Sequence, residues 1–478
     1  MSKRKNESEH LGGRFIRALH HLLNTVQIHQ DNNQLVKESS AAFHRIVSLI
    51  SGGEELKVQI WRGRFYIEGE KLLYRKETFP IINEMLEYFP QRGLEGFHFL
   101  SPFTNVTPDD LTIFAHLLND SLTEENPPEW LEKTIKEKGL SWVNTLKEQK
   151  KEPPSLVLKR KERAKQAYID AVVTVKEVAD KVSHQGAAGV RKARRLAQTM
   201  VDLVREDDTL LLGLTTIRDY DDYTYTHSVN VSLLCLCLGK RLGLSHIFLE
   251  QLAISGLFHD LGKVEVPKEI LMKPGTLSGE EWKEMRKHPL TGVRRILWLH
   301  ASRTLKMRTI LGPFEHHLNA DLSGYPTTHF VQNISLFGQI LHIADTYDAL
   351  TSQRGYRPRT FTPDEALRMM WVEAGKKFDA LLLKSFINMM GIYPIGTILE
   401  LDSGEMGLVV DYPNESERTR PLIMLLADDG RGSYRRGDTV DLAAEELKEG
   451  ATTREILRGI HPSSLGIQPS LFFLEEVN

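Results

Sequence analysis

The sequence predicts a multidomain chain: an all-α helical bundle, preceded by a small α+β domain and followed by a small β-rich, barrel-like tail. Three observations carry this reading. A length of 478 residues suggests about three domains at roughly 150 residues each. The apolar period changes along the chain, from mixed helix and strand, to helix alone, to short alternating runs. Histidine outnumbers cysteine by 18 to 2, and the central helical stretch holds the histidines of greatest interest.

The charge balance is nearly neutral. Sixty-one basic and 64 acidic residues give a net charge of −3, so no global basic field argues for DNA or RNA. The cysteines, Cys235 and Cys237, share one apolar run. They are too few for a disulfide scaffold, and a C-x-C pair falls short of a thiolate metal site. A bound metal would need histidine and carboxylate. Met1–His10 is polar, without the apolar core of a signal peptide. The longest apolar stretch, Val231–Leu238, is far below the ~20 residues that cross a bilayer. The expectation is a cytoplasmic protein with no transmembrane segment.

Residues 1–150 read as an α+β sensory or oligomerisation domain. Helical periodicity opens it (LLNTVQIHQDNNQLVKESSAAFHRIVSLI). Leu56, Val58 and Ile60 then alternate, Arg62-Gly63 turns, and Phe65 and Ile67 return, which predicts a hairpin. A helix (TFPIINEMLEYF), a strand (GFHFL) and a helix opening at Thr107-Pro108-Asp109 follow. The last has N-cap chemistry and an early proline. No Gly-rich phosphate loop and no receiver-type acidic pattern occurs. Residues 151–206 read as a linker and signalling helices. Pro153-Pro154 interrupts a basic run, and helix periodicity resumes from Leu156 to Arg205 with a break near Gly186–Gly189.

Residues 207–392 are helical throughout. Residues 393–478, after Gly391-Ile392-Tyr393-Pro394, show short alternating stretches with Gly and Asp-Gly turns. They predict a small antiparallel β region.

The central stretch carries a polar constellation. An apolar helix (LEQLAISGLFHDLGK) ends on His259-Asp260. Neighbours on a helix diverge by about 100°, so both reach one ion only where the helix ends at a cavity. His227 heads a helix whose inward face continues through Val231, Leu234 and Leu238. His288 closes a helix opened by the capping box Ser278-x-x-Glu281. His316 and His317 are adjacent, and Asp345 lies one turn beyond Leu341. Polar groups on apolar faces are costly unless paired or metal-bound. Five histidines and two aspartates exceed what one four-to-six-coordinate ion takes from protein. They suggest at least two divalent ions with Asp260 as the bridge. Imidazole and carboxylate suit iron, manganese, zinc and related ions. Two metals a few ångströms apart suit in-line phosphoester displacement by a metal-activated hydroxide.

The order H…HD…H…HH…GYP…D resembles the HD-GYP domain, a subgroup of the HD phosphohydrolases. The matching segments are YTYTHSVNV, GLFHDLGK, ILMKPGTLS, RKHPLTG, HHLNADLSGYP and IADTYDALTSQRGYR. The resemblance is strongest over residues 207–392. It implies a phosphodiesterase of bacterial second-messenger signalling, hydrolysing cyclic di-GMP to pGpG, GMP or both. It implies metal ligands His227, His259, Asp260, His288, His316, His317 and Asp345. Asp260 and Lys263 are expected to be catalytic, with Lys263 on the scissile phosphate. Tyr325 and Arg354 are expected to contact substrate, and Arg357 takes a position often basic in the family. The implied cofactors are two divalent ions, iron or manganese first, with zinc or nickel as alternatives.

This sequence departs from the family's usual HHE-x-x-DG-x-GYP. Leu318 replaces the glutamate, which removes a polar partner near a ligand. Leu322 replaces a glycine, whose backbone freedom Leu lacks. Tyr223 stands where members with a third metal carry Glu, so two ions are expected. Two rival readings follow: a weak or inactive member acting as a cyclic dinucleotide receptor or partner-binding module, and a phosphodiesterase for another cyclic dinucleotide such as cyclic GMP-AMP. A simpler mononucleotide phosphohydrolase would lack the histidine pair and the GYP segment. The expected partners are cyclic di-GMP, a second copy of the chain through the N-terminal domain or linker helices, and signalling proteins. The remaining histidines, His342 among them, default to surface or packing roles.

Overall fold

The computed structural model describes residues 2–31, 33–52, 54–61, 64–72, 78–100, 103–147, 154–184, 189–217, 223–327, 332–352, 360–412, 418–428, 434–446 and 454–474. The chain divides into two compact units, Met1–Lys159 and Arg160–Asn478.

The first unit is the expected α+β domain. Its helices are α1 (Ser2–Ile28), α2 (Gln34–Ser51), α3 (Phe79–Tyr88), α4 (Pro108–Asp120) and α5 (Pro127–Glu137). Its strands are β1 (Leu56–Trp61), β2 (Arg64–Ile67), β3 (Glu70–Lys71), β4 (Leu94–Phe99) and β5 (Val143–Lys147). They form one antiparallel sheet in the order β3-β2-β1-β4-β5. The hairpin pairs Val58 with Ile67 and Ile60 with Phe65, and its turn residues 62–63 lie outside the described residues. Thr107 is the N-cap of α4, as the Thr-Pro-Asp sequence predicts, and Asp110 caps the Thr107 backbone in return. Phe15, Phe43, Phe97, Phe99 and Phe114 are buried in the core between sheet and helices.

Helix α6 (Pro154–Ser183) begins at the proline pair, and α7 (Arg191–Glu206) and α8 (Asp208–Leu214) follow. The bundle continues with α9 (Tyr223–Arg241), α10 (His246–Phe258), α11 (Lys268–Leu271), α12 (Gly279–Met285) and α13 (His288–Trp298). It ends with α14 (Arg303–Thr309), α15 (Leu311–Glu315), α16 (Leu336–Thr351), α17 (Pro363–Val372) and α18 (Ala380–Met390). One hydrophobic core joins Ala171 and Val175 of α6 and Ala197 and Val201 of α7 to Leu234 of α9, Ala253 of α10 and Ala344 of α16. The expected signalling helices are therefore packed into the same compact unit as the bundle. No described helix is long and apolar enough to cross a membrane.

The C-terminal strands are β6 (Ile398–Leu401), β7 (Met406–Asp411), β8 (Leu422–Asp428), β9 (Tyr434–Asp441) and β10 (Ile456–Ile460). Helix α19 (Leu442–Glu446) precedes β10, and α20 (Pro469–Leu474) follows it. The expected antiparallel pairing is present, in the order β10-β6-β7-β8-β9. The barrel-like closure is not. Strands β10 and β9 are opposite edges of an open sheet among the described residues. Alternating apolar residues report one buried face, and that pattern is common to a sheet and a barrel.

Candidate metal centre

The site is built where helix ends meet. His227 lies in the first turns of α9, and His259 and Asp260 follow the last residue of α10. His288 opens α13, His316 and His317 follow α15, and Asp345 lies within α16. Two glycines let these ends approach. A Cβ at Gly262 would come within 1.9 Å of the His288 carbonyl oxygen. Gly324, at φ +98°, leaves room only for a hydrogen beside the His317 carbonyl oxygen, 2.3 Å from an added Cβ.

Three imidazoles are held by one local device. Nδ1–H of His259 donates to Gly256 O at 2.8 Å, His288 to Met285 O at 2.8 Å, and His316 to Pro313 O at 2.7 Å. Each bond spans three residues. A carbonyl only accepts, so Nδ1 carries the proton and Nε2 presents its lone pair. His227 uses a carboxylate instead, donating from Nδ1 to Asp348 Oδ2 at 2.7 Å.

The Nε2 atoms converge. Metal-compatible donor atoms lie within 4.8 Å of one another in three groups: His227/His259/Asp345, His288/His316/His317, and His259/Asp260/His316. The first two share no residue, and the third links them. Asp260 lies between. Its Oδ2 is 3.4 Å from His259 Nε2 and 3.8 Å from His227 Nε2. Its Oδ1 is 3.4 Å from His288 Nε2 and 3.9 Å from His316 Nε2. One carboxylate thus faces both groups, one oxygen to each. All seven expected ligands are brought together.

The electrostatics suit cations. Burial pushes His288 down to about 4 and holds His316 and His317 well below the usual histidine range, so these rings are neutral, the form that can bind a cation. Burial also opposes ionisation of Asp260, but Lys263 and His259 outweigh it and hold the carboxyl well below the usual range. Asp345 is likewise held low against its burial, chiefly by His227. Burial lowers His227, but bonds to Asp345 and Asp348 prevail and raise it to about 9. His259 Nε2 and Asp260 Oδ1 are buried and make no hydrogen bond. Such atoms are costly without a partner, and divalent cations fit this donor set.

The centre opens on a cavity of about 1850 Å³ lined by Lys263, His288, His317, Tyr325 and Asp345. Lys263 Nζ donates to Asp260 Oδ2 at 2.5 Å. The Tyr325 ring is 4.5 Å from that of His317, and the Arg286 guanidinium is 5.7 Å from the Tyr325 ring centre. Arg354 and Arg357 lie outside the described residues. Leu318 is buried. Leu322 adopts φ +66°, in a turn closed by Asn319 N to Ser323 O at 2.8 Å and Ser323 N to Asp321 Oδ1 at 2.9 Å. The leucine thus occupies the backbone conformation that a glycine takes without strain.

Sequence reasoning missed three features. Asp348, which orients His227, was readable as a carboxylate one turn after Asp345 on the same helix face. His342 donates to the His316 carbonyl. The stretch around His461, Ser463 and Gln468 lines the same cavity, and no sequence signal linked that tail to the bundle.

Residues 198–382 match a family model described as an HD domain. The chain is similar to the cyclic di-GMP phosphodiesterase PA4108 of Pseudomonas aeruginosa, 36% identical over 206 residues, 43% of this chain and 49% of that protein. It is similar to the cyclic di-GMP phosphodiesterase PdeB of Borreliella burgdorferi, 28% identical over 210 residues, 44% of this chain and 54% of that protein. The 3'3'-cGAMP-specific phosphodiesterase 2 of Vibrio cholerae is 31% identical over 190 residues, 40% of this chain and 36% of that protein. The chain spans about half the length of the first two relatives.

Proposed function

We propose that the chain, whose residues 198–382 match an HD domain, is of the HD-GYP subgroup and hydrolyses cyclic di-GMP, to pGpG, GMP or both, at a centre of two divalent ions. The observation that carries this is Asp260, whose two oxygens face two separate donor triads. His227, His259 and Asp345 would hold one ion, and His288, His316 and His317 the other, with Asp260 between them. When bound, such ions polarise a phosphate oxygen and bring a water into its nucleophilic form near neutral pH.

The chain's own groups do the rest. Lys263 bonds Asp260 and lines the cavity, so its ammonium is available to a phosphate oxygen at the bridge. Tyr325 walls the cavity beside His317 and positions the dinucleotide against the centre. Arg354 and Arg357 remain proposed contacts, suited to a phosphate or a guanine edge by their paired donors. Residues 1–150 are proposed to sense a signal or oligomerise, and a cytoplasmic location goes with this reading.

The test is to load the protein with manganese or iron, measure metal per chain, and assay cyclic di-GMP turnover beside Asp260→Ala. The expected result is two ions per chain, with turnover down at least a hundredfold in the variant. Full metal with no turnover would instead mark a receptor. Faster cleavage of cyclic GMP-AMP would move the substrate to that of the Vibrio relative.

A further inference from the structure

His342 lies on α16, one turn before Asp345. It is 5% exposed, and its ring packs on Phe378 with centroids 5.0 Å apart at 32°. Nδ1 lies 2.7 Å from the backbone carbonyl oxygen of His316. That oxygen only accepts, so Nδ1 is the protonated nitrogen. Nε2 is buried and makes no hydrogen bond. A buried ring nitrogen without a partner is a standing cost, which an apolar residue of similar size would avoid. The site of the other bond is informative. The His316 carbonyl lies between two successive ligand side chains, beyond the end of α15, where no helical turn fixes it. One helix therefore presents Asp345 to the metal centre and His342 to the peptide that carries the histidine pair.

We propose that His342 is a positioning residue: its Nδ1–H bond to the His316 carbonyl sets the peptide plane from which His316 and His317 reach the second ion. This rests on the two-ion reading above and adds a residue to it. Groups that orient ligands in this way are worth roughly 10–100-fold in metal affinity when removed. The requirement is for a donor at the Nδ1 position. The Asn side-chain amide nitrogen occupies that position, the Gln amide nitrogen occupies that of Nε2, and Leu supplies no donor.

The experiment is manganese titration by calorimetry of the full-length wild-type, His342→Asn, His342→Gln and His342→Leu proteins, with circular dichroism as a check on folding. The wild type should show two ions. His342→Asn should stay within about threefold at both sites. His342→Gln and His342→Leu should lose tenfold or more at one site and keep the other. Equal affinity in all four proteins would overturn the assignment. So would equal loss in His342→Asn and His342→Gln, since that would mean ring packing on Phe378 rather than the bond. If His342→Leu does not fold, the Asn/Gln pair still decides. A wild type that binds no manganese would fail the two-ion reading, and this inference with it.

Discussion

Leu322 takes φ +66° in the turn that leads to Tyr325. A left-handed conformation costs an ordinary residue roughly 1–2 kcal/mol, and glycine avoids it at the cost of extra unfolded-chain entropy, about 0.5–1 kcal/mol. Leu322→Gly is therefore expected to raise stability by up to about 1 kcal/mol, read as a higher urea midpoint for the C-terminal unit. A lower midpoint would mean that the leucine side chain contributes packing beyond its backbone cost. At this scale the seven candidate metal ligands were legible because five histidines and two aspartates stand at the ends or on the inward faces of apolar helices. His342 was not legible. Its role depends on a carbonyl 26 residues away in sequence, and nothing local distinguishes it from a core histidine.

Among elements, the approach of the 3₁₀ turn Leu261–Glu265 to the start of α13 places Asp260 and Lys263 beside His288. Gly262 permits it. A methyl there would meet the His288 carbonyl oxygen at 1.9 Å and the Gly292 nitrogen at 2.5 Å. Backbone atoms give little, so overpacking should cost about 1–3 kcal/mol. Gly262→Ala is expected to lose turnover at least tenfold, together with one of the two ions. Wild-type metal content in that variant would sink the claim that this contact positions the ligand. The helices and strands were legible from their periods and caps, as Ser278-x-x-Glu281 and the N-cap at Thr107-Pro108-Asp109 show. The closure of the last sheet was not, because strand alternation describes faces and leaves partner strands unspecified.

For the molecule as a whole, the resemblance points to residues 207–392 as a domain, while compactness draws the boundary at Lys159 and Arg160. The core of the second unit needs Ala171, Val175, Ala197 and Val201 from α6 and α7. Phe473 of α20 packs where a side chain at Gly213 would collide. Residues 160–478 are therefore expected to purify as a cooperatively folding unit, and residues 207–392 alone to aggregate or unfold. The same 160–478 fragment tests the sensory reading: loss of the first unit should change oligomeric state or turnover rate, and no change in either would remove that role. The sequence by itself determined the elements, the seven donor residues and the chemistry they suit, because period, capping and ligand type are local properties. Only the tertiary structure decided that Asp260 faces both triads, that Asp348 bonds His227 and His342 bonds the His316 carbonyl, and that the C-terminal tail walls the cavity. Those facts are distances between residues remote in sequence, and close packing of the whole unit sets them.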